Sequence, residues 1–253
     1  MPAPLALTRE PCLFPRGASR LLAVALQRDA RRCGFDTHLL LAAMLLACQV
    51  HRHQQRSADG QPFVVHPLQV ALLVCRWGGS SADVLAAVLH DAAEDSTAGP
   101  RATLNHITDL FGAAVAQRVA ALTKNRGIVD AAARADDHTR RLLDAVQTFG
   151  PGVAAIRLAD RLHNGVTSAH FDASHLQRLH LHTQRHVQPL AQRQHLVALA
   201  DFLAAPPARW HAVPAHRFVS AMLALQRPWL GTSAQAAVAH DAGARWPRLG
   251  LQL

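Results

Sequence analysis

Acidic and imidazole side chains crowd one short stretch of the sequence, from His90 to Asp95. On a helix, residues four apart share a face, so His90 aligns with Glu94 and Asp91 aligns with Asp95. Carboxylates packed beside an imidazole repel one another and raise their pKa values unless a cation lies among them. An adjacent His and Asp can hold one ion between side chains that diverge by about 100°. Taken alone, an adjacent His and Asp is more often part of an ordinary solvated helix face, so the metal interpretation depends on further residues.

A second stretch of similar design strengthens the metal interpretation. Asp160 and Asn164 are four residues apart in segment 156–164, whose apolar positions would anchor a helix to a core. A carboxylate among apolar anchors is costly to bury unless it is paired or coordinates a cation. His66 is a third candidate, because it stands at a predicted helix start directly after an apolar run.

The residue types fit metal-assisted hydrolysis, including hydrolysis of a phosphate bond. Mixed imidazole and carboxylate ligands with open coordination positions suit Mn²⁺ or a similar divalent ion. Such an ion polarises a phosphoryl oxygen and lowers the pKa of bound water, while nearby carboxylates take the proton. A polyanionic substrate would also explain arginines around an acidic pocket.

The elements that must position these residues are predicted to be helices. Apolar positions recur with helical spacing, and alternating β-branched runs are nearly absent. The predicted helices cover about residues 20–30, 36–53, 66–76, 82–95, 103–111, 113–123, 129–148, 150–164 and 174–204. Ser80 and Asp83 predict a capping box before the fourth of them. The fold class is therefore all-α.

Charge, aromatic content and cysteine content limit the partners and the cellular compartment to be expected. The chain has 26 Lys and Arg against 17 Asp and Glu, a net charge of +9 that attracts polyanions. Aromatic residues make up only 5% of the chain, which disfavours a single-strand nucleic-acid binder. The four cysteines form no CxxC pair, and we find neither an export signal nor an apolar run near the roughly 20 residues of a membrane span. We expect a cytoplasmic protein without a membrane partner.

The order His66-Pro67, His90-Asp91 and Asp160 resembles the pattern of HD metal-dependent phosphohydrolases. Five segments in order, GQPFVVHPLQVA, AAVLHDAAEDS, FGAAVAQRVAALTKN, IRLADRLHN and LHTQRHVQPLAQR, are similar to the hydrolase domain of the Rel/SpoT family. That domain removes the 3′-pyrophosphate from the alarmone ppGpp, and the similarity covers about residues 53–196. Nothing after residue 205 resembles the synthetase domain of long Rel/SpoT proteins. The resemblance implies an HD-domain helical bundle of the hydrolase-only kind.

The resemblance also assigns residues. It implies that one Mn²⁺ is bound by four ligands, His66, His90, Asp91 and Asp160. Glu94 and Asp95 match the family's pair that activates or positions the attacking water. Nucleotide contacts are implied at four further positions, Arg56, Lys124, Asn164 and Thr167. The predicted reaction converts (p)ppGpp to GDP or GTP and pyrophosphate.

Three departures from the family leave the substrate open. Val166 replaces a basic residue, Phe63 replaces a tyrosine, and the loop over 56–61 is one residue longer. These positions are where the family reads the nucleotide, so (p)ppApp or NADPH are alternative substrates for the same metal chemistry. A catalytically idle alarmone-binding module is the alternative outside enzymes.

Three parts of the chain are predicted: an N-terminal extension over 1–19, the HD-type hydrolase domain over 20–205 and a C-terminal appendage over 206–253. The appendage is rich in Pro and Trp and has one good helical pattern, 216–226. Its tryptophans either pack over the core or form a contact in a homodimer. His182 and His186, four residues apart, are interpreted as surface histidines, and a second metal site is the alternative interpretation.

Overall fold

The computed structural model describes residues 17–56 and 60–211. Within these ranges it contains helices and no β-strand, and one isolated bridge joins Gln55 to Pro62. The helices are α1 (Ala18–Arg32), α2 (Thr37–Val50), α3 (Val65–Arg76), α4 (Ser81–Leu89), α5 (Ala92–Asp95), α6 (Pro100–Phe111), α7 (Ala113–Leu122), α8 (Ala131–Phe149), α9 (Gly152–Val166), α10 (Ala173–His182), α11 (Gln188–Arg193), α12 (Val197–Ala204) and α13 (Pro207–His211). The all-α prediction is confirmed.

Side-chain caps explain why several helices begin where they do. Asp36 accepts hydrogen bonds from the backbone amides of His38 and Leu39, at 2.8 and 3.1 Å, and so starts α2. The predicted capping box is present, because Ser80 and Asp83 each accept a hydrogen bond from the backbone amide of the other. These contacts satisfy amides that a helix N-terminus otherwise leaves unpaired.

The helix predicted over 82–95 is wrong in one respect, because it is interrupted at His90 and Asp91. Helix α4 ends at Leu89, and the short α5 begins at Ala92. Nδ1 of His90 hydrogen-bonds the carbonyl oxygen of Ala87 at 2.8 Å. In a continuous helix that carbonyl would accept from the Asp91 amide, so the imidazole competes with the helical bond. The break falls at two of the proposed metal ligands.

The single long helix predicted over 174–204 is also wrong. A five-residue π-helical turn, Thr183–Val187, follows α10 and leads into α11. Pro189 lies in the first turn of α11 and has no amide to offer the preceding turn, which favours a local change of hydrogen-bond register. His195 then takes a left-handed backbone conformation with φ 58° and separates α11 from α12.

The core lies where α3 packs against α1, α4 and α9. Its largest fully buried side chains include one from each of the three site-bearing helices, Leu68, Leu89 and Ile156. Burial of each such side chain contributes about 1.5–3 kcal/mol, so the helices that carry the site are firmly held. Asp160 thus projects from a helix that is apolar on its core side, as the sequence predicts.

The start of the predicted appendage packs against the bundle. The Trp210 indole is buried, donates a 2.9 Å hydrogen bond to the Phe202 carbonyl and lies against Gly165. The predicted helix 216–226 and residues 1–16 lie outside the described residues, and the three-part division stays a prediction. Cys33, Cys48 and Cys75 are free thiols. A search of the described ranges finds no helix that is both long and apolar enough to traverse a bilayer.

Candidate metal centre and active site

The structure brings the four predicted metal ligands together from three separate parts of the chain. His66 lies in the first turn of α3, His90 and Asp91 lie at the α4–α5 junction, and Asp160 lies in α9. Nε2 of His66 is 3.2 Å from Nε2 of His90 and 3.4 Å from Oδ1 of Asp160. Nε2 of His90 is 3.1 Å from Oδ2 of Asp91 and 4.0 Å from Oδ1 of Asp160.

The donor set fits a divalent cation. His66, His90 and Asp91 each offer a ligand atom, and these three atoms lie within 4.8 Å of one another. Oδ1 of Asp160 completes the group beside both imidazoles. Two neutral nitrogens and two anionic oxygens form a mixed set that first-row divalent ions accept.

Hydrogen bonds behind the ligands hold both imidazoles in orientation. His90 uses Nδ1 for the Ala87 carbonyl, which leaves Nε2 facing the centre. Nδ1 of His66 hydrogen-bonds Nδ1 of His163 at 2.8 Å, which likewise leaves Nε2 of His66 facing the centre. Such outer contacts fix the tautomer and ring direction of metal-binding histidines.

Asp160 is held in the same way. Asn164 donates a 2.6 Å hydrogen bond to Oδ1 of Asp160, as the four-residue spacing predicts. Arg157 donates a 2.6 Å hydrogen bond to Oδ2 from the preceding turn of α9. The buried carboxylate is therefore compensated on both oxygens before any ion is considered.

The electrostatics of the centre favour a bound positive charge. Burial opposes protonation of His90, but the charge of Asp91 and their hydrogen bond outweigh it and raise the pKa of His90 to about 9. Burial also opposes ionisation of Asp91, yet the neighbouring His90 holds the pKa of Asp91 below its usual range. A divalent cation would take the place of the proton that His90 otherwise holds.

The two predicted catalytic carboxylates lie one turn beyond the ligands. Glu94 accepts a 2.8 Å hydrogen bond from the backbone amide of Lys124, whose ammonium is 3.3 Å from the same carboxylate. Burial, followed by the charge of Asp91, raises the pKa of Asp95. The two acids therefore differ in what surrounds them, since Glu94 is anchored by a cation and an amide, whereas burial raises the pKa of Asp95 above its usual value.

The four predicted substrate contacts divide into two groups. The Arg56 guanidinium donates a 2.6 Å hydrogen bond to Oγ1 of Thr167, so these two residues share one side of the centre. Asn164 is engaged with Asp160 on that side. Lys124 forms the second group, half-exposed and beside Glu94.

Sequence reasoning missed several residues around the centre. Arg157 and His163 lie three residues before and after Asp160, a helical spacing that was available as a signal. Arg126 brings its guanidinium to 3.8 Å from Glu94 and 3.9 Å from Asp95, across a loop with no regular spacing. His51 is fully buried with Nδ1 3.7 Å from Oδ2 of Asp95, and no pattern in the sequence predicts this contact.

The substituted positions also border the site. The Phe63 ring stacks at a tilt on His51, with centroids 4.7 Å apart, and meets the edge of His66 at 5.7 Å. The longer loop is closed at its base by a 3.0 Å hydrogen bond from the Phe63 amide to the Gln54 carbonyl. Residues 57–59, at its tip, lie outside the described part. The alternative of a second metal site at His182 and His186 finds no support, because Nδ1 of His182 faces the Arg161 guanidinium at 3.2 Å.

Comparison with known proteins gives the class. The family model described as HD domain matches residues 31–197, and the chain belongs to this family. A solved structure from a metazoan ortholog of SpoT that hydrolyses ppGpp shares the fold, with a TM-score of 0.51 at 18% sequence identity, and the match covers 78% of this chain and 99% of that one.

The curated relatives are Rel/SpoT proteins, which confirms the resemblance. The chain is 38% identical over 128 residues to a GTP pyrophosphokinase of Brucella melitensis, a match covering 50% of this chain and 16% of that protein. It is 30% identical over 179 residues to the guanosine-3′,5′-bis(diphosphate) 3′-pyrophosphohydrolase of Aquifex aeolicus, covering 69% of this chain and 25% of that protein. The chain thus spans a quarter or less of the length of these two relatives.

Proposed function

We propose that the chain is an Mn²⁺-dependent hydrolase that removes the 3′-pyrophosphate from (p)ppGpp and releases GDP or GTP and pyrophosphate. The observation that carries the proposal is the cluster formed by the imidazoles of His66 and His90, whose Nε2 atoms lie within 4.0 Å of the carboxylates of Asp91 and Asp160. Two more acids lie one turn away. The Aquifex relative is named for this reaction. Relatives named GTP pyrophosphokinase are matched over a small part of their length, and the HD-type ligand set supports hydrolysis.

His66, His90, Asp91 and Asp160 would hold the ion. A bound divalent cation supplies Lewis-acid polarisation of a phosphoryl oxygen and lowers the pKa of water in its coordination shell. Mn²⁺ suits a set in which oxygen and imidazole nitrogen ligands are mixed. The outer contacts of Ala87, His163, Asn164 and Arg157 would keep the four side chains in position as substrate enters and leaves.

Asp95 is suited to accept the proton of the attacking water. Its raised pKa makes its carboxylate a stronger base than an exposed aspartate, while its side chain still reaches solvent. Glu94, anchored by the Lys124 amide, would orient the same water. In the overall reaction water adds across the bond to the 3′ oxygen, the pyrophosphoryl group gains the hydroxyl oxygen, and the ribose 3′ oxygen leaves with a proton.

Cationic side chains around the acids would bind the phosphates. The half-exposed Lys124 and the exposed Arg126 lie beside Glu94, where a phosphate could displace their present carboxylate contacts. Arg56 is hydrogen-bonded to Thr167 and lies 3.3 Å from Nδ1 of His163, the partner of His66. A nucleotide carrying phosphates at two positions would meet positive charge both beside Glu94 and beside His163.

A second substrate class is favoured by the departures from the family pattern at Phe63, beside the ligand His66, and at Val166. Phe63 has no hydroxyl with which to hydrogen-bond a base or ribose, and the half-buried Val166 contributes no charge. These changes leave the metal residues intact, so the same chemistry on (p)ppApp or NADPH is the second candidate. An idle alarmone-binding module is the third outcome that the experiment below separates.

The experiment is turnover of a nucleotide panel by purified protein with Mn²⁺. The panel contains ppGpp, pppGpp, ppApp, NADPH and GDP, and chromatography identifies the products. We expect GDP and pyrophosphate from ppGpp, with loss of turnover on chelation and in Asp91→Asn. Asp144→Asn, a matched change at an exposed position on α8, should retain activity. Failure to turn over any nucleotide would overturn the enzyme proposal, and ppGpp binding without turnover would indicate the idle module.

We also infer a cytoplasmic location. Free thiols at Cys33, Cys48 and Cys75 are in line with a reducing compartment. A homodimer stays a prediction that light scattering of the purified chain would test.

A further inference from the structure

A buried arginine on α9 lacks a carboxylate of its own. The Arg161 side chain is almost completely buried, with 8% relative exposure. One of its terminal nitrogens is 3.2 Å from Nδ1 of His182. Its Nε has no hydrogen-bond partner within the described residues. A guanidinium offers five N–H donors, so most of its capacity is unused by this contact.

The nearest acid is already committed elsewhere. Asp160 precedes Arg161 in the chain, and its two oxygens accept from Arg157 and Asn164, both at 2.6 Å. Asp160 also faces the imidazoles of the metal centre. Removing a guanidinium from water costs several kcal/mol unless an opposite charge compensates it. Asp160 therefore stabilises the charge of Arg161 only in part, and no other described carboxylate forms an ion pair with Arg161.

The surrounding groups are bases. His182 ends α10, and His186 lies in the π-helical turn, with ring centroids 4.8 Å apart. Arg157 occupies the preceding turn of α9, on the same face as Arg161. The carboxylate closest to His186 belongs to Asp136, which is exposed on α8, 3.8 Å away and also beside Arg185. Basic side chains thus outnumber acidic ones around Arg161.

The backbone here is also irregular. The π-helical turn Thr183–Val187 carries His186 and sets it beside His182. Single π-helical turns inside α-helices occur frequently at functional sites. A metal cation would be repelled by Arg161, and burial together with the charge of Arg161 lowers the pKa of His182 to about 2, which keeps this ring neutral. The arrangement suits a negatively charged ligand.

We propose that Arg161, with His182 and His186, forms a binding site for a phosphate-class oxyanion one turn of α9 beyond Arg157. The guanidinium fork matches two oxygens of a tetrahedral anion, and the imidazole nitrogens can contribute further hydrogen bonds. The anion is either free inorganic phosphate or a phosphoryl group of a bound nucleotide. The site does not depend on the proposed enzymatic activity.

The test is thermal unfolding of the full chain in chelator, so that the metal centre makes no contribution. Sodium phosphate is titrated at constant ionic strength, with sodium chloride as the matched salt. For wild type we expect a saturable rise in Tm of roughly 2–8 °C that chloride does not reproduce. A parallel arm uses ppGpp, so a response to ppGpp without one to phosphate assigns the site to the nucleotide.

Three variants make the test specific. His182→Glu places a carboxylate beside Arg161, and we expect a higher Tm without phosphate and loss of the response to either ligand. Gln177→Glu makes the same change of charge at an exposed position on α10 and should respond like wild type. Arg161→Met, checked for helical content by circular dichroism, should also lose the response.

The proposal is overturned if wild type responds to neither phosphate nor ppGpp. It is equally overturned if His182→Glu responds as strongly as wild type, because the bound anion would then lie elsewhere. The readout is stability without metal, so a failure of the proposed hydrolysis would leave this result unchanged.

Discussion

Asp160 and Arg161 are neighbours on α9, have the same 8% relative exposure, and have opposite surroundings. Asp160 meets two hydrogen-bond donors and two imidazoles, so its charge is compensated from every side. Arg161 meets a neutral imidazole and a second arginine, and the adjacent Asp160 compensates its charge only in part. The comparison teaches that burial alone does not define a site, whereas the balance of charge around a buried group indicates what it binds.

The largest expected effect is on activity and comes from removing one negative charge from the metal centre. Asp91→Asn should lower turnover of ppGpp by roughly 10³-fold or more, because an amide is a poor ligand where a carboxylate is needed. Chromatographic assays with Mn²⁺ measure this loss. Residual activity near that of wild type would mean that Asp91 is not a ligand.

A smaller effect should follow from Asp95→Asn, which removes a base without removing a ligand. We expect kcat to fall by roughly 10²–10⁴-fold while Mn²⁺ binding is retained. Because the pKa of Asp95 is raised, the wild-type rate should decline as pH falls through that raised pKa, where the carboxylate becomes protonated. A pH–rate profile of wild type tests the sign, and loss of Mn²⁺ binding in Asp95→Asn would contradict the assignment.

The outer contacts should have an intermediate effect on metal affinity. His163→Ala removes the partner of Nδ1 of His66, and Arg157→Gln weakens the contact with Oδ2 of Asp160. Each should weaken Mn²⁺ binding roughly 10–100-fold, as outer-contact mutations do at other metal sites. Titration calorimetry measures the shift. An unchanged affinity in both variants would show that the ligands orient themselves without these partners.

The smallest expected effect is on the free energy of unfolding, through the buried His138 near Arg157. His138 is buried, its Nε2 hydrogen-bonds the Leu122 carbonyl at 2.8 Å, and burial together with the charge of Arg157 lowers its pKa to about 3. The folded state therefore keeps His138 neutral while the unfolded chain protonates it below about pH 6.5. Its contribution to stability is complete above that pH and is lost progressively towards pH 3.

Between pH 7 and pH 5 this linkage predicts a loss of about 2 kcal/mol in the free energy of unfolding. Urea unfolding at the two pH values measures it, and His138→Gln should lose less stability over the same interval. Equal losses in the two proteins would show that other groups cause the acid sensitivity.

Much of the site follows from residue types at helical spacings. The four-residue spacing of Asp160 and Asn164 predicts a shared face, and the two side chains are hydrogen-bonded. Ser80 and Asp83 predict the start of α4 in the same local way. Local patterns succeed here because each contact is made within one or two turns of the chain.

Other features depend on competition or on distant contacts and escape such patterns. The helix break at Asp91 arises because the His90 ring takes a backbone acceptor. The π-helical turn depends on Pro189 and on packing against other helices. His51 reaches Asp95 only through the tertiary fold, and the unpaired charge of Arg161 is visible only once its neighbours are known.

Equilibrium dialysis with Mn²⁺ tests the central claim most directly. The account predicts one tightly bound ion per chain in wild type, and none at the same concentration when both Asp91 and Asp160 are changed to Asn. Asp136→Asn paired with Asp144→Asn, two exposed acids on α8, should leave the stoichiometry at one. Binding of the ion by the doubly altered centre, or no binding by wild type, would contradict the account.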